Sequence, residues 1–257
     1  MHLFYSVDKL RWSQTPEGCS PNAMVKLKEL CASNAAPCHP RILTYAGLGG
    51  KADMAFILFA EDAFGVGNLH RSVEDCFPSG ALNRVFSYLS VTEHSEYSST
   101  EEDSRRMIEQ HEKLQPGTPE FDKRLDEANS KRAEYEHYRL YPEMPDWEVM
   151  GFYPMSKKRE GSDNWYALEF ETRKKLMGGH ARTGRKYAGR ISQLITGSTG
   201  LDDWEWGVTL MAHQLDAIKE IVYEMRFDEV TARYGVFGPF FANLRATPEA
   251  LWTHLRL

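Results

Sequence analysis

The motif Phe-Tyr-x-x-x-Lys occurs twice, as Phe4-Tyr5 to Lys9 and as Phe152-Tyr153 to Lys157, and each copy opens a half-chain with the same order of hydrophobic strands and amphipathic helices. Gly47, Gly50 and Asp53 likewise align with Gly197, Gly200 and Asp203 at a constant offset of 150 residues. A chain that repeats itself in this way folds as two similar units, and 257 residues is the length for two small domains rather than one. Comparing the halves then shows where chemistry was added to only one of them.

Alternation and turn signals predict strands at 3–7, 41–46, 54–60 and 85–91 with helices at 23–31 and 67–77, a βαββαβ order. The second half repeats it, with strands at 147–157, 189–196, 204–212 and near 234–241 and helices at 171–186 and 214–227. Gly47-x-Gly49-Gly50-Lys51 has the look of a phosphate loop. It lies between two strands and has a counterpart in the other half, so it reads as a hairpin turn needing positive φ. The charged stretch 101–140, broken by Gln115-Pro-Gly-Thr-Pro119, reads as two helices, with Thr118 as N-cap and Phe121, Leu125 and Ala128 on one face of the second. The expectation is an α+β fold of two ferredoxin-like repeats of the dimeric α/β-barrel type, residues 1–98 and 145–257, joined by a helical connector at 99–144. The two sheets are expected to pack face to face, leaving a pocket within one half.

Composition removes several classes. No apolar run approaches the length of a membrane span, so no integral membrane association is expected. The first residues lack the charged and apolar regions of a secretion signal, and a cytoplasmic location is expected. Four cysteines, Cys19, Cys31, Cys38 and Cys76, fit neither CxxC pairs nor a disulfide framework and read as reduced thiols; Cys31, Cys38 and His39 lack a second ligand pair for a metal. The net charge is -6, yet residues 157–190 hold ten Lys and Arg against four Asp and Glu. Such a window attracts anions, or is a solvated helix face. No nucleic-acid motif accompanies it, and no nucleic-acid partner is expected.

The halves differ in chemistry at three places. Tyr153, Met155 and Lys157 alternate on a strand and share one face, either a site or a strand end with a solvated basic cluster. His180 follows Leu176-Met-Gly178-Gly179 in a helical segment whose counterpart in the first half has no histidine. Two glycines within a helix conflict with local propensity, as functional sites do, and could let a flat ligand approach beside the imidazole. A satisfied core or surface histidine is the competing reading. Gln193 stands opposite Leu43, a polar amide on an otherwise apolar strand that needs a partner.

At these residues the sequence closely resembles the coprohaem decarboxylases of the chlorite dismutase superfamily. Tyr153-Pro-Met-Ser-Lys-Lys-Arg159 matches a signature of that branch, and Gly184-Arg-Lys-Tyr-Ala-Gly189, Ile195-Thr-Gly-Ser198, Leu201-Asp-Asp-Trp-Glu-Trp-Gly207 and Tyr223-Glu-Met-Arg-Phe-Asp-Glu229 continue the match. The likeness is dense over 147–241 and architectural in the first half. It implies a haem pocket in the C-terminal repeat, with His180 as the axial ligand to the iron of iron-coproporphyrin III (coprohaem). It further implies hydrogen peroxide as oxidant, a tyrosyl radical at Tyr153, and Lys157 holding the reacting propionate and managing a proton. Two propionates would become vinyl groups, giving haem b. Met155 would pack at the macrocycle edge, Arg139, Arg226 and Thr231 match propionate-binding positions, and Glu229 is a candidate acceptor for the His180 ring. The resemblance also implies a homopentamer. Chlorite dismutases proper carry an arginine where this chain has Gln193, which favours decarboxylation over chlorite breakdown. A chlorite dismutase-like or general haem peroxidase, and a non-catalytic haem carrier, are the alternatives.

Overall fold

The computed structural model of the chain describes residues 1–16, 18–36 and 40–257. The first half runs β1 (His2–Val7), α1 (Lys9–Ser13), α2 (Cys19–Ser33), β2 (Arg41–Leu48), β3 (Met54–Phe59), α3 (Ala63–Asp75) and β4 (Leu82–Tyr88). The connector holds α4 (Glu101–Met107), a π-helical turn (Ile108–Glu112) and α5 (Pro119–Leu140). The second half runs β5 (Val149–Lys157), α6 (Phe170–Arg185), β6 (Ile191–Gly197), β7 (Trp206–Ala212), α7 (Leu215–Met225), α8 (Glu229–Tyr234), β8 (Gly235–Phe237), β9 (Phe241–Arg245) and α9 (Pro248–Leu255).

The strands lie in the order β4-β1-β3-β2-β9-β5-β7-β6, with β8 added to β5. Each run of four follows the same fourth-first-third-second order. The inner faces of the two half-sheets pack on each other in one core, as the sequence suggests, and the halves are also continuous. They join edge to edge, Tyr45 opposite Arg245 and Leu48 opposite Ala242, so that one sheet spans both halves. Beyond β4, Val91 exchanges both backbone hydrogen bonds with Gly197 at the end of β6, at 2.8 and 2.9 Å. That bridge brings the sheet's two edges together as a barrel, which leaves less open edge than two separate sheets would.

The repeated Phe-Tyr pair shows how the pleat uses this arrangement. Phe4 and Phe152 both point into the barrel, 5.4 Å apart between ring centroids, and pack with Phe241, Tyr88, Met150 and Met211. Tyr5 and Tyr153, one residue on, point outward beneath the helices of their own halves. Tyr5 is enclosed by Leu27, Leu69 and Val73, and its hydroxyl donates to Glu74 at 2.9 Å. Helix α9 also packs on this first-half face, where Trp252 stacks on Phe77.

The glycine turns behave as their sequence demands: Gly49, Gly50 and Gly200 have φ of 76°, 74° and 83°. Thr118 caps α5 by accepting from the Phe121 N–H, and Phe121 and Leu125 are buried with Ile108 in a small connector core. The strand expected near 234–241 is corrected. It is divided into the end of α8, the short β8 and the start of β9, because Asp228 caps a helix there and Gly238 and Pro239 interrupt the extended run. Cys19, Cys31 and Cys76 are free thiols, and burial pushes Cys31 up to about 12 and Cys76 up to about 11. Cys38 and His39 lie outside the described residues. Among those described, no helix is long and apolar enough to cross a membrane, and no cluster of three or more His, Cys, Asp or Glu is placed to hold a metal.

Candidate functional site

The outer face of the second-half sheet carries the asymmetries found in the sequence. Strand register places Tyr153, Val208 and Ile195 in one row, with Gly151, Leu210 and Gln193 in the next. Tyr153, Met155 and Lys157 therefore share this face with Gln193. Helix α7 lies directly on it, burying Ala217 and Ile221, and at Gly151 it approaches so closely that a Cβ would stand 3.1 Å from Ile218.

Helix α6 lies differently. Its first-half counterpart α2 buries Ala23 and Leu27, whereas α6, across sixteen residues, buries none of its own. The helix runs uninterrupted through Gly178 and Gly179. At about 100° per residue Gly178 lies on the side of α6 away from His180, so its missing side chain does not clear space beside the imidazole. Gly184, one turn beyond His180 and on its face, is the close approach instead. A Cβ there would meet Met225 at 3.3 Å and the Gln193 amide nitrogen at 3.4 Å. Gln193 thus reaches under α6 one turn from His180.

His180 Nδ1 lies 2.8 Å from Asp228 Oδ2. Burial works to raise the Asp228 pKa, but the hydrogen bonds from His180 and the Thr231 backbone outweigh it and hold the group below its ordinary value. An ionised carboxylate only accepts, so Nδ1 carries the hydrogen of this contact and Nε2 is the nitrogen left to face a ligand. Glu229, the acceptor expected from sequence, is instead paired with Arg233 at 2.8 Å. Asp228 wins because it is the N-cap of α8 and its side chain turns back toward α6. Aspartate is a preferred N-cap residue, and that preference is the signal available in the sequence. Thr231 spends its backbone N–H and hydroxyl on Asp228, at 2.9 and 3.3 Å, and so supports the carboxylate.

Tyr153 is buried, with its ring stacked on Phe240 at 4.6 Å. Burial pushes its pKa up to about 12, opposed by the charge of Arg226. Unlike Tyr5, it has no hydrogen-bond partner for its hydroxyl among the described residues. Arg226 spreads its guanidinium over Phe237 at 4.0 Å while remaining exposed. Met155 packs in the same apolar cluster as Tyr153. Lys157 is 8% exposed, and burial lowers its amine to about 8 despite the nearby carboxylates of Asp228 and Glu205. Its ammonium lies 4.9 Å from the Trp165 ring, a neighbour with no advance signal in the sequence. Glu205 fixes the strand at this point by accepting from the Lys157 backbone N–H at 2.8 Å.

Arg139 is placed apart. It ends α5 and donates to the Glu93 carbonyl at 3.1 and 3.3 Å, beside the barrel seam. The positive window is also partly neutralised from outside it: Lys174 pairs with Asp103, Lys186 with Glu224 and Arg190 with Glu220. The remaining arrangement has a tyrosine, a lysine of lowered pKa, an amide and an exposed arginine around a helix that presents an imidazole.

Comparison with known proteins agrees with this architecture. A protein of Halobacterium salinarum named "Putative heme-binding protein" is 36% identical over 254 residues, covering 98% of this chain and 48% of its own length. The chain therefore spans about half the length of the curated relatives it matches. A solved structure described as a novel heme-binding protein from Thermus thermophilus superposes with a TM-score of 0.78 at 35% identity, covering 100% of this chain and 94% of the other. A mutant chlorite dismutase from Candidatus Nitrospira defluvii shares the fold at a TM-score of 0.70 and 19% identity, covering 99% of this chain and 94% of the other. The family model described as Chlorite dismutase matches residues 21–246, so the chain belongs to the chlorite dismutase family.

Proposed function

We infer that the chain is a haem-dependent oxidoreductase that uses hydrogen peroxide to convert two propionates of iron-coproporphyrin III into vinyl groups, giving haem b. The observation that carries this reading is the pairing of a buried tyrosine and a low-pKa lysine on one strand face with an imidazole oriented by a carboxylate on the helix above. The 36% and 35% identical relatives, both named as heme-binding proteins, support the choice of a porphyrin.

The residues fit such a group. None of the residues of helix α6 is fully buried: Leu176 and Met177 lean on Trp165, Val230 and Tyr234, while the His180 side chain is 28% exposed and open to a ligand. His180 Nε2 is the nitrogen left for an iron, with Asp228 fixing the tautomer and ring direction. Arg226 suits a propionate through paired N–H groups. Bound iron porphyrin supplies the oxidising power of peroxide. The chain does the rest. Tyr153, held by Phe240 and poor at losing its proton alone, would pass one hydrogen atom to the oxidised group and recover one from the propionate side chain, the second electron going to that group as carbon dioxide leaves. Lys157 holds the carboxylate; its lowered pKa lets it exchange a proton near neutral pH. Each turn consumes one peroxide, one propionate and one proton, and releases a vinyl group, carbon dioxide and two waters.

The test mixes the protein with ferric coproporphyrin III and slowly supplied peroxide, following absorbance and product mass. Stepwise loss of two carboxyl groups is expected. Binding with an unchanged porphyrin mass would establish the carrier reading instead.

A further inference from the structure

Arg41, at the start of β2, is 6% exposed. Its Nη2 donates to the Pro142 carbonyl at 3.1 Å, and its guanidinium lies 4.6 Å from the Phe59 ring centre. No carboxylate pairs with it among the described residues, and its Nε–H is buried without a partner. Tyr45, four residues along the same inward face of the strand, is fully buried, and its hydroxyl also has no partner among the described residues. Arg245 of β9 adds a second guanidinium, 5.4 Å from the Tyr45 ring centre. Its carboxylate partner, Asp146, has a side chain 84% exposed, so that charge is largely spent on solvent. Glu143 contributes only a distant attraction to Arg41.

The unused groups at this end of the barrel are thus donors, set beside a buried positive charge. Buried charges in proteins are paired, and buried donors find acceptors. A water molecule could accept from either group but would leave the charge uncompensated. We propose that this end of the barrel binds a small monovalent anion, a halide or a formate-sized carboxylate, through the Arg41 Nε–H and the Tyr45 O–H. The site lies where the halves meet, since Arg41 holds Pro142 and Arg245 holds Thr44 and Asp146. An anion there fastens β2 and β9 to the segment leading into β5. It is independent of the porphyrin reading.

Thermal unfolding in chloride, formate and gluconate at equal ionic strength tests the idea, gluconate being too large to enter. Chloride or formate should raise Tm in a saturable way that gluconate does not reproduce, and whichever of the two acts at lower concentration identifies the ligand class. Arg41→Met should abolish the effect. Tyr45→Phe, which keeps the ring and hence the fold, should weaken the apparent affinity about tenfold, the effect of losing one hydrogen bond to a charged group. Crystals soaked in bromide should show an anomalous peak within hydrogen-bond reach of Arg41 Nε. Equal melting in all three salts, an anion effect undiminished in Tyr45→Phe, or water alone at that position overturns the proposal.

Discussion

His180 Nδ1 and Asp228 Oδ2 are 2.8 Å apart, and this contact joins helix α6 to the first residue of the α8 cap. It decides which imidazole nitrogen is available to a metal. Asp228→Asn keeps a competent N-cap, so α8 should persist by circular dichroism. Ferric porphyrin affinity, read from absorbance titration, should fall by roughly 10- to 100-fold, the usual cost of losing such an outer partner. Unchanged affinity would show that the carboxylate does not orient the ligand.

Lys157 carries a pH signature. Burial lowers its amine from 10.5 to about 8, so between those values the unfolded chain binds more protons than the folded one and stability rises with pH. Below about pH 8 the full penalty is present. Lys157→Met should therefore be more stable than the parent at pH 7 by about 2 kcal/mol, with the gap closing toward pH 10.5. Chemical denaturation across that range measures it, and a gap independent of pH contradicts the buried-amine account.

Tyr153→Phe retains the ring that stacks on Phe240 and removes only a buried hydroxyl. Its unfolding free energy should stay within about 1 kcal/mol of the parent. Conversion of coprohaem should be abolished while porphyrin binding persists. Undiminished product by mass spectrometry removes the tyrosine from the chemistry.

The repeated glycines should respond unequally. A Cβ on Gly47 collides with the Ala52 backbone carbonyl, which cannot swing aside, whereas on Gly197 it meets the Glu93 carboxylate at the end of a flexible side chain. Gly47→Ala should cost about 3 kcal/mol and Gly197→Ala about 1 kcal/mol or less, read from denaturation midpoints. Equal losses would mean that Glu93 is locked at the seam.

Gly178 gives the opposite sign. A Cβ there meets nothing within 4 Å, so Gly178→Ala should stabilise the helix by about 1 kcal/mol and leave porphyrin affinity unchanged. Lost affinity would restore the glycine pair as part of the ligand face.

What the sequence determined was the repeat and its periodicities. Two-residue alternation put Phe4 and Phe152 on one side of the sheet and Tyr5 and Tyr153 on the other, and Thr118 announced its helix, because such features depend on neighbours within a few positions. The family resemblance was legible for the same reason, residing in contiguous motifs. Tertiary structure alone decided how the halves meet. The β2–β9 pairing and the Val91–Gly197 bridge depend on backbone groups that every residue carries, so no side-chain pattern marks them in advance. It also chose Asp228 over Glu229, sent Arg139 to the seam, laid Lys157 against Trp165 and left Arg41 buried with no carboxylate paired to it among the described residues. These are contacts between residues far apart in the chain, and they exist only once helices and strands have taken their angles.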